Sequence, residues 1–359
     1  MRKIIGLIFL SGILYSGVAF GQASTCTQTL RLVQSTYEQG RLHELEALMQ
    51  GCLENGFDDQ QKVTAYKYLT LAYIYLEEPE KADATMLKLL STGQAGHFFA
   101  TKEDVDPAEF VALWRKFRRD PLFRVGIKLG PTSTMPAITE TYYVVSTAAG
   151  NGKFSPKVNF SFGLVFEKDF YKFLNKFSIA PEVMFVGRST SYTNPNLSYR
   201  DQNLDNTAIS LKKNIQKQRW LDLNLLAQYK LKEKATKFNT YVSVGPGISY
   251  LINSTNELET KVEEKGSVTG SAIKTKDSYR SLAYSAIISM GSKIRVGGFY
   301  LTGDIRYQCG LNNVVNKSSR SIPEALYNYG YVPSNYRQNN VTLNVGLAIP
   351  YFSPKKLIK

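Results

Sequence analysis

Three cysteines, two histidines and 30 acidic residues are the groups in this 359-residue chain that could do chemistry. Both histidines, His43 and His97, precede residue 122. A Ser–His site in the later part is therefore excluded, and with it the usual activated nucleophile of a lipid hydrolase or acyltransferase. Carboxylate chemistry remains open there, with Asp222 and Asp304 as the candidate acid and base, but pairing with nearby cations is the stronger expectation. No Gly-rich phosphate loop precedes a helix, and neither HExxH nor GxSxG occurs. Three Cys and two His are too few for a zinc ribbon, a zinc finger or a multi-cluster redox protein. Asp58-Asp59 reads as a helix cap rather than a metal site. The expectation is a protein that is no enzyme and carries no metal or other cofactor.

What the cysteines do depends on compartment. Arg2 and Lys3 precede an apolar stretch from Ile4 to Phe20, and Ala19-Phe20-Gly21 supplies small residues where a signal peptidase reads. Residues 1–21 are thus expected to be a signal peptide. A lipoprotein at Cys26 is the poorer reading, because Ala23-Ser24-Thr25 is a weak lipobox. Disulfides persist outside the cytoplasm. Cys26 opens the first expected helix and Cys52 closes the second, and these ends meet in an antiparallel hairpin. A Cys26–Cys52 bridge is expected, with Cys309 free.

The elements that hold these groups change character near residue 121. Residues 22–121 have helical spacing: Leu42, Leu45, Leu48, Met49 and Cys52, then Ala65, Tyr66, Leu69, Ala72, Tyr73 and Leu76. Pro79 restarts the chain at a further helix. Asp106-Pro107-Ala108-Glu109 has the form of a capping box before Phe110, Leu113, Trp114 and Phe117. Ala65 to Ala82 resembles a single tetratricopeptide-type repeat, whose paired helices leave a concave face for a partner peptide. The candidate partner-binding face carries Tyr66, Tyr73 and Trp114.

From residue 122 the period becomes two. Leu221, Leu223, Leu225, Ala227, Tyr229 and Leu231 share one face of a strand, and Asp222, Asn224, Gln228 and Lys230 the other. The same alternation recurs near 123–132, 158–168, 177–188, 238–252, 281–296, 298–312 and 341–351. That makes eight strands of about ten residues, a length that crosses a bilayer when tilted. Short turns near Tyr171–Asn175, Lys232–Lys237 and Val296–Gly298 alternate with long connections at 133–157, 189–217, 253–280 and 313–338. Such alternation is typical of a transmembrane barrel, and it puts the helical domain on the periplasmic side.

The gathered polar faces hold Arg124, Lys128, Glu167, Glu182, Asp222, Lys230, Lys293, Arg295, Asp304 and Arg306. An eight-stranded barrel is just wide enough for side chains to fill it, so these groups are expected to pair into a plug. Phe160, Phe162, Phe166, Phe185, Tyr229, Tyr250 and Tyr351 would face lipid or form interfacial girdles. The net charge of +14 is unevenly spread. Residues 22–121 carry 11 basic and 15 acidic groups, whereas 31 basic and 15 acidic groups follow residue 121. Lys212, Lys213, Lys217, Arg219, Lys274, Lys276, Arg280 and Arg320 lie in or beside the long connections. Their natural anionic partner is lipopolysaccharide phosphate. Export argues against nucleic acid as a partner.

Together these features resemble the outer-membrane β-barrel proteins of Bacteroidota, the PorT-like family. The barrel match starts at Phe123-Arg124-Val125-Gly126-Ile127-Lys128-Leu129-Gly130, and Gly163, Gly245, Gly247, Gly291 and Gly346 stand on inward faces as in that family. The tail is a departure, because residues 353–359 follow the last aromatic. The resemblance implies residence in the outer membrane and a role in envelope assembly, secretion or motility machinery. The expected architecture is α+β and multi-domain: signal peptide 1–21, a tetratricopeptide-like helical periplasmic domain 22–121, and an eight-stranded antiparallel transmembrane β-barrel 122–359. The expected function is a non-catalytic barrel whose helical domain binds a periplasmic protein. A narrow transporter or porin and a lipid-modifying enzyme are the alternatives.

Overall fold

The computed structural model describes residues 20–102, 104–118, 120–144, 152–170, 176–201, 207–231, 238–262 and 266–357. All but the end of the expected signal peptide lies outside these residues, as do the expected turns at 171–175 and 232–237. The chain divides into two compact units. One comprises Met1–Pro121 with Phe352–Lys359, and the other Leu122–Tyr351. Among the described residues no helix is long and apolar enough to cross a membrane.

The first unit is helical: α1 (Phe20–Glu38), α2 (Leu45–Glu54), α3 (Asp59–Tyr75), α4 (Pro79–Ser91), the short α5 (Gly93–His97) and α6 (Ala108–Arg115). Helix α3 begins at a complete capping box. The Gln61 amide donates to the Asp58 carboxylate at 2.7 Å, and the Asp58 amide donates to Gln61 Oε1 at 3.1 Å. The capping box expected at Asp106–Glu109 does not form, because Pro107 is the N-cap of α6 and accepts no side-chain bond. The Asp106 carboxylate instead pairs with Lys67 and accepts the Lys102 amide at 2.7 Å. A full ion pair outcompetes a local cap for the same oxygen.

Two apolar clusters stabilise this unit. Val33, Leu45, Met49, Leu69 and Tyr73 centre one, and Met86, Leu89, Phe110 and Phe117 the other. Cys26 and Cys52 are bridged, with Cα atoms 5.6 Å apart, and this ties α1 to α2. Gly56 lies against the bridge, where a Cβ would come within 2.5 Å of Cys26 Sγ. The last residues of the segment expected to belong to the barrel pack here. Phe117 and Lys356 form an antiparallel bridge, the Leu357 amide donates to the Lys116 carbonyl at 2.8 Å, and Phe352 stacks on His97 at 4.6 Å.

The second unit is built from eight long strands: β1 (Phe123–Glu140), β2 (Lys153–Asp169), β3 (Phe177–Thr193), β4 (Thr207–Lys230), β5 (Phe238–Val262), β6 (Leu282–Val296), β7 (Phe299–Gly310) and β8 (Asn335–Tyr351). Each pairs antiparallel with its neighbours in sequence, and β8 pairs with β1, so the sheet closes into a barrel. Closure leaves no free edge around the wall. Short strands at Ser198–Asp201, Gly266–Thr269 and Ile273–Lys274 pair with β4 or β5 at the long-connection end.

Alternation along each strand has the expected phase. Phe160 is 73% exposed and Ile349 62%, whereas Lys128 is 4% and Glu182 2% exposed. The strands exceed the expected ten residues, reaching 24 in β4 and 25 in β5, and all the added length is at the long-connection end. There apolar clusters join buried amides such as Gln216, Gln218 and Asn256 on the inward face. Trp220, Leu251, Tyr279, Val314, Val315 and Tyr336 form one buried cluster, and Tyr192, Leu211, Leu258, Leu326 and Tyr331 another.

Candidate functional site: the filled lumen

Every second residue of a barrel strand points inward, so charges spaced by two along one strand stack as rungs in the lumen. The first rungs lie at the end where β1 begins and β8 ends. Arg124 spans two carboxylates, donating to Glu167 and to Asp169 at 2.7 Å each. Asp169 also pairs with Lys230 at 2.8 Å, and Glu167 with Lys293. Lys293 donates further to Gln228 at 2.9 Å.

The next rung is centred on Lys128, which bridges Glu182 at 2.9 Å and Asp304 at 2.8 Å. Arg306 approaches the other Glu182 oxygen at 2.8 Å, and the Asn344 amide donates to Asp304 at 2.9 Å. Tyr241 packs beside these rungs with the Lys293 ammonium 4.6 Å from its ring centroid. Gly291 makes that possible, because a Cβ there would sit 2.6 Å from the Tyr241 hydroxyl.

Arg188 completes the polar column. It donates to Asp222 at 2.6 Å and to Gln338 at 3.1 Å, while its guanidinium lies 5.2 Å from the Trp220 ring. Trp220 belongs to the apolar cluster at the long-connection end. The void beside Arg188, Ser249, Gln308 and Gln338 is about 10 Å³, room for about one water at most. Lone buried ions are costly, and here most carboxylates serve two cations, so each charge is compensated by its neighbours.

The structure thus gathers Arg124, Lys128, Glu167, Glu182, Asp222, Lys230, Lys293, Asp304 and Arg306 into paired rungs. Arg295 is half-buried opposite Tyr300. Asp169, Arg188 and Tyr241 are lumen residues that sequence reasoning missed. Parity was the available signal. Asp169 lies two residues beyond Glu167, Arg188 six beyond Glu182, and Tyr241 two before Ser243, each on the same inward face.

In the helical unit, Tyr66, Tyr73 and Trp114 do not form an exposed partner-binding face. Tyr73 is a core residue, and Tyr66 and Trp114 pack against the two apolar clusters. Burial and a hydrogen bond to Glu46 push the Tyr73 phenol pKa upward. Aromatic residues at helical spacing served packing here. A cleft of about 380 Å³ opens instead along one face of α3, lined by Gln60, Val63, Thr64, Lys67, Tyr68 and Leu71, with Tyr37 from α1 and Phe99, Val105, Asp106 and Pro107 opposite. Burial, and next to it Tyr75, push the Tyr37 phenol up to about 12. Neutral phenols and a compensated Lys67–Asp106 pair make this a largely uncharged groove.

Among the described residues no three potential metal ligands cluster. No curated protein matches the chain. Among solved structures, it is similar to neisserial surface protein A at 11% identity and a TM-score of 0.30, covering 64% of this chain and 97% of that one. It is also similar to Ail of Yersinia pestis, solved in complex with the heparin analogue sucrose octasulfate, at 9% identity and a TM-score of 0.26, covering 63% and 99%. The N-terminal β-barrel domain of Pseudomonas aeruginosa OprF matches at 12% identity and a TM-score of 0.25, covering 63% and 97%. The model of a family described as outer membrane protein beta-barrel domain matches residues 117–316, more than half of the chain. On that match the chain belongs to the outer membrane protein beta-barrel domain family.

Proposed function

We propose that this protein is a sealed, non-catalytic outer-membrane anchor whose helical unit stands in the periplasm and holds a protein partner. The observation that carries the reading is the filled lumen, where Lys128, Glu182, Asp304 and Arg306 compensate one another across the barrel. A transport path needs a continuous aqueous lumen, and a catalytic carboxylate needs a substrate beside it. Lumen carboxylates paired with cations, most of them with two, favour neither. Orientation is supported by the barrel itself: Leu122 and Tyr351 lie at the end where β6 turns into β7 within residues 296–299, the end with the short turn. In outer-membrane barrels short turns are periplasmic.

The α3 cleft is the surface suited to an extended or helical peptide, as in a tetratricopeptide-like domain. Such an anchor fits a PorT-like barrel of Bacteroidota acting in envelope assembly, secretion or motility machinery. Photo-crosslinking in intact cells tests the role of the cleft, with the reactive residue in place of exposed Gln60 or Val105, or of Lys88 outside it. A discrete adduct from Gln60 and Val105 only is expected. Equal adducts from Lys88, or none from the cleft, would overturn the partner reading.

A further inference from the structure

The outward face of the barrel carries a set of cations in one sector, directly beyond its apolar wall. Phe185, Leu221, Tyr250 and Leu282 form one continuous row across β3, β4, β5 and β6. One outward step along β4, Arg219 is flanked by Gly187 and Asn253. A further step places Lys217 beside Thr255, whose other neighbour is Lys274. Lys276 extends back over the apolar row, its ammonium 5.9 Å from the Tyr250 ring centroid. Successive outward residues are about 7 Å apart along a strand, so all four cations lie within one headgroup's reach of the row.

The sector is only partly neutralised. Lys217 pairs with Glu257 at 2.6 Å, and Glu259 and Asp277 are further acids of the same segments. Arg219 and Lys274 are exposed and have no ion pair among the described residues. On β1 and β2 the outward run continues with exposed Met135, Val158 and Phe160, and the exposed cations beyond it, Lys153 and Arg337, stand singly. Solvated loop charge would have no reason to gather four cations on one stretch of the wall. It would also not bring an ammonium down onto an aromatic ring at the edge of an apolar wall.

We propose that Lys217, Arg219, Lys274 and Lys276 bind the phosphate of an anionic outer-leaflet glycolipid whose acyl chains lie on Leu221, Tyr250 and Leu282. This rests on the membrane reading above and names the lipid class and its place on the wall. Guanidinium and ammonium donors suit a phosphate at an interface.

The test uses the full chain in phosphatidylcholine nanodiscs containing either bis-phosphorylated lipid A or its dephosphorylated form, with bound lipid counted by native mass spectrometry. Wild type is expected to retain the phosphorylated lipid. The triple variant Arg219→Gln, Lys274→Gln, Lys276→Gln should bind it about tenfold more weakly or worse. A control of equal charge change in the helical unit, Arg31→Gln, Lys62→Gln, Lys88→Gln, should bind as wild type. Equal retention by the triple variant, equal loss in the control, or equal binding of the dephosphorylated lipid would overturn the site while leaving the barrel in its disc. Displacement by the soluble phosphorylated headgroup as readily as by intact lipid A would overturn the lipid assignment. A wild-type chain that fails to enter discs would overturn the membrane reading itself.

Discussion

Strands β4 and β5 carry two different patterns on one continuous backbone. Between Leu221 and Lys230, Asp222, Asn224 and Gln228 face inward, as do Tyr241, Ser243, Gly247 and Ser249 between Phe238 and Tyr250, while Leu, Val, Ile and Tyr face outward. Toward the long connections, from Trp220 and Leu251 onward, the outward face turns polar with Lys217, Arg219, Thr255, Glu257 and Lys261, while Leu211, Trp220, Leu251 and Leu258 join buried Gln216, Gln218, Ser254 and Asn256 within. Bulges shift the register between Leu211 and Lys213 and between Leu251 and Asn253, and the alternation resumes past each. What changes is the surrounding solvent: hydrocarbon selects apolar outward side chains, and water selects polar ones. The change therefore marks where the wall leaves the membrane, and the cations of the proposed lipid site stand at that line.

The comparison can be broken most severely from inside the lower half. Glu182→Ala would leave Lys128 and Arg306 without their shared carboxylate, at a cost of about 3–5 kcal/mol. The folded barrel should then lose its resistance to SDS at a markedly lower temperature, as read by gel mobility. The matching change in the upper half is Leu258→Ala, which removes apolar rather than ionic contacts. We expect a loss of about 2–5 kcal/mol there, with no change in salt sensitivity. If high salt altered both variants alike, the two halves would not differ as described.

Outward positions sharpen the contrast. Leu223→Lys puts a charge on the lipid-facing wall and should destabilise the barrel by about 2–4 kcal/mol in bilayers. Thr255→Lys places the same charge where the outward face is polar and should change stability by less than about 0.5 kcal/mol. Reversible unfolding in lipid vesicles measures both, and equal costs would move the membrane boundary.

The smallest expected effect is in the helical unit, where the solvent is water throughout. Burial lowers the pKa of His97 below its ordinary 6.5, opposed by Asp59. The folded state therefore prefers the neutral ring. Helix stability should be constant at higher pH, decline as pH falls through 6.5, and level off below the folded-state pKa. His97→Phe, which keeps the stack on Phe352, should flatten that decline in thermal melts followed by helical circular dichroism.

Much of this was legible in the residues. The outward run from Leu221 to Leu231 disclosed the barrel, and parity along the strands found Lys128, Glu182, Asp304 and Arg306 as lumen groups. Strand ends at the long connections were not legible, because a window that expects apolar residues on one fixed face stops where that face turns polar. Asp169 and Arg188 were missed for a related reason, as each stands at the edge of the run used to define its strand. Asp106 misled as a cap because nothing local announces Lys67, distant in sequence. Tyr66, Tyr73 and Trp114 misled because an amphipathic helix spaces core aromatics and binding aromatics alike.

Shared ion pairs fill the lumen, and planar-bilayer recording of the purified full chain tests most directly whether they seal it. The predicted result is insertion without conductance steps, with steps appearing only when Lys128 and Glu182 are both replaced by Ala. Regular steps from the wild-type chain would contradict the sealed lumen and make the protein a narrow channel.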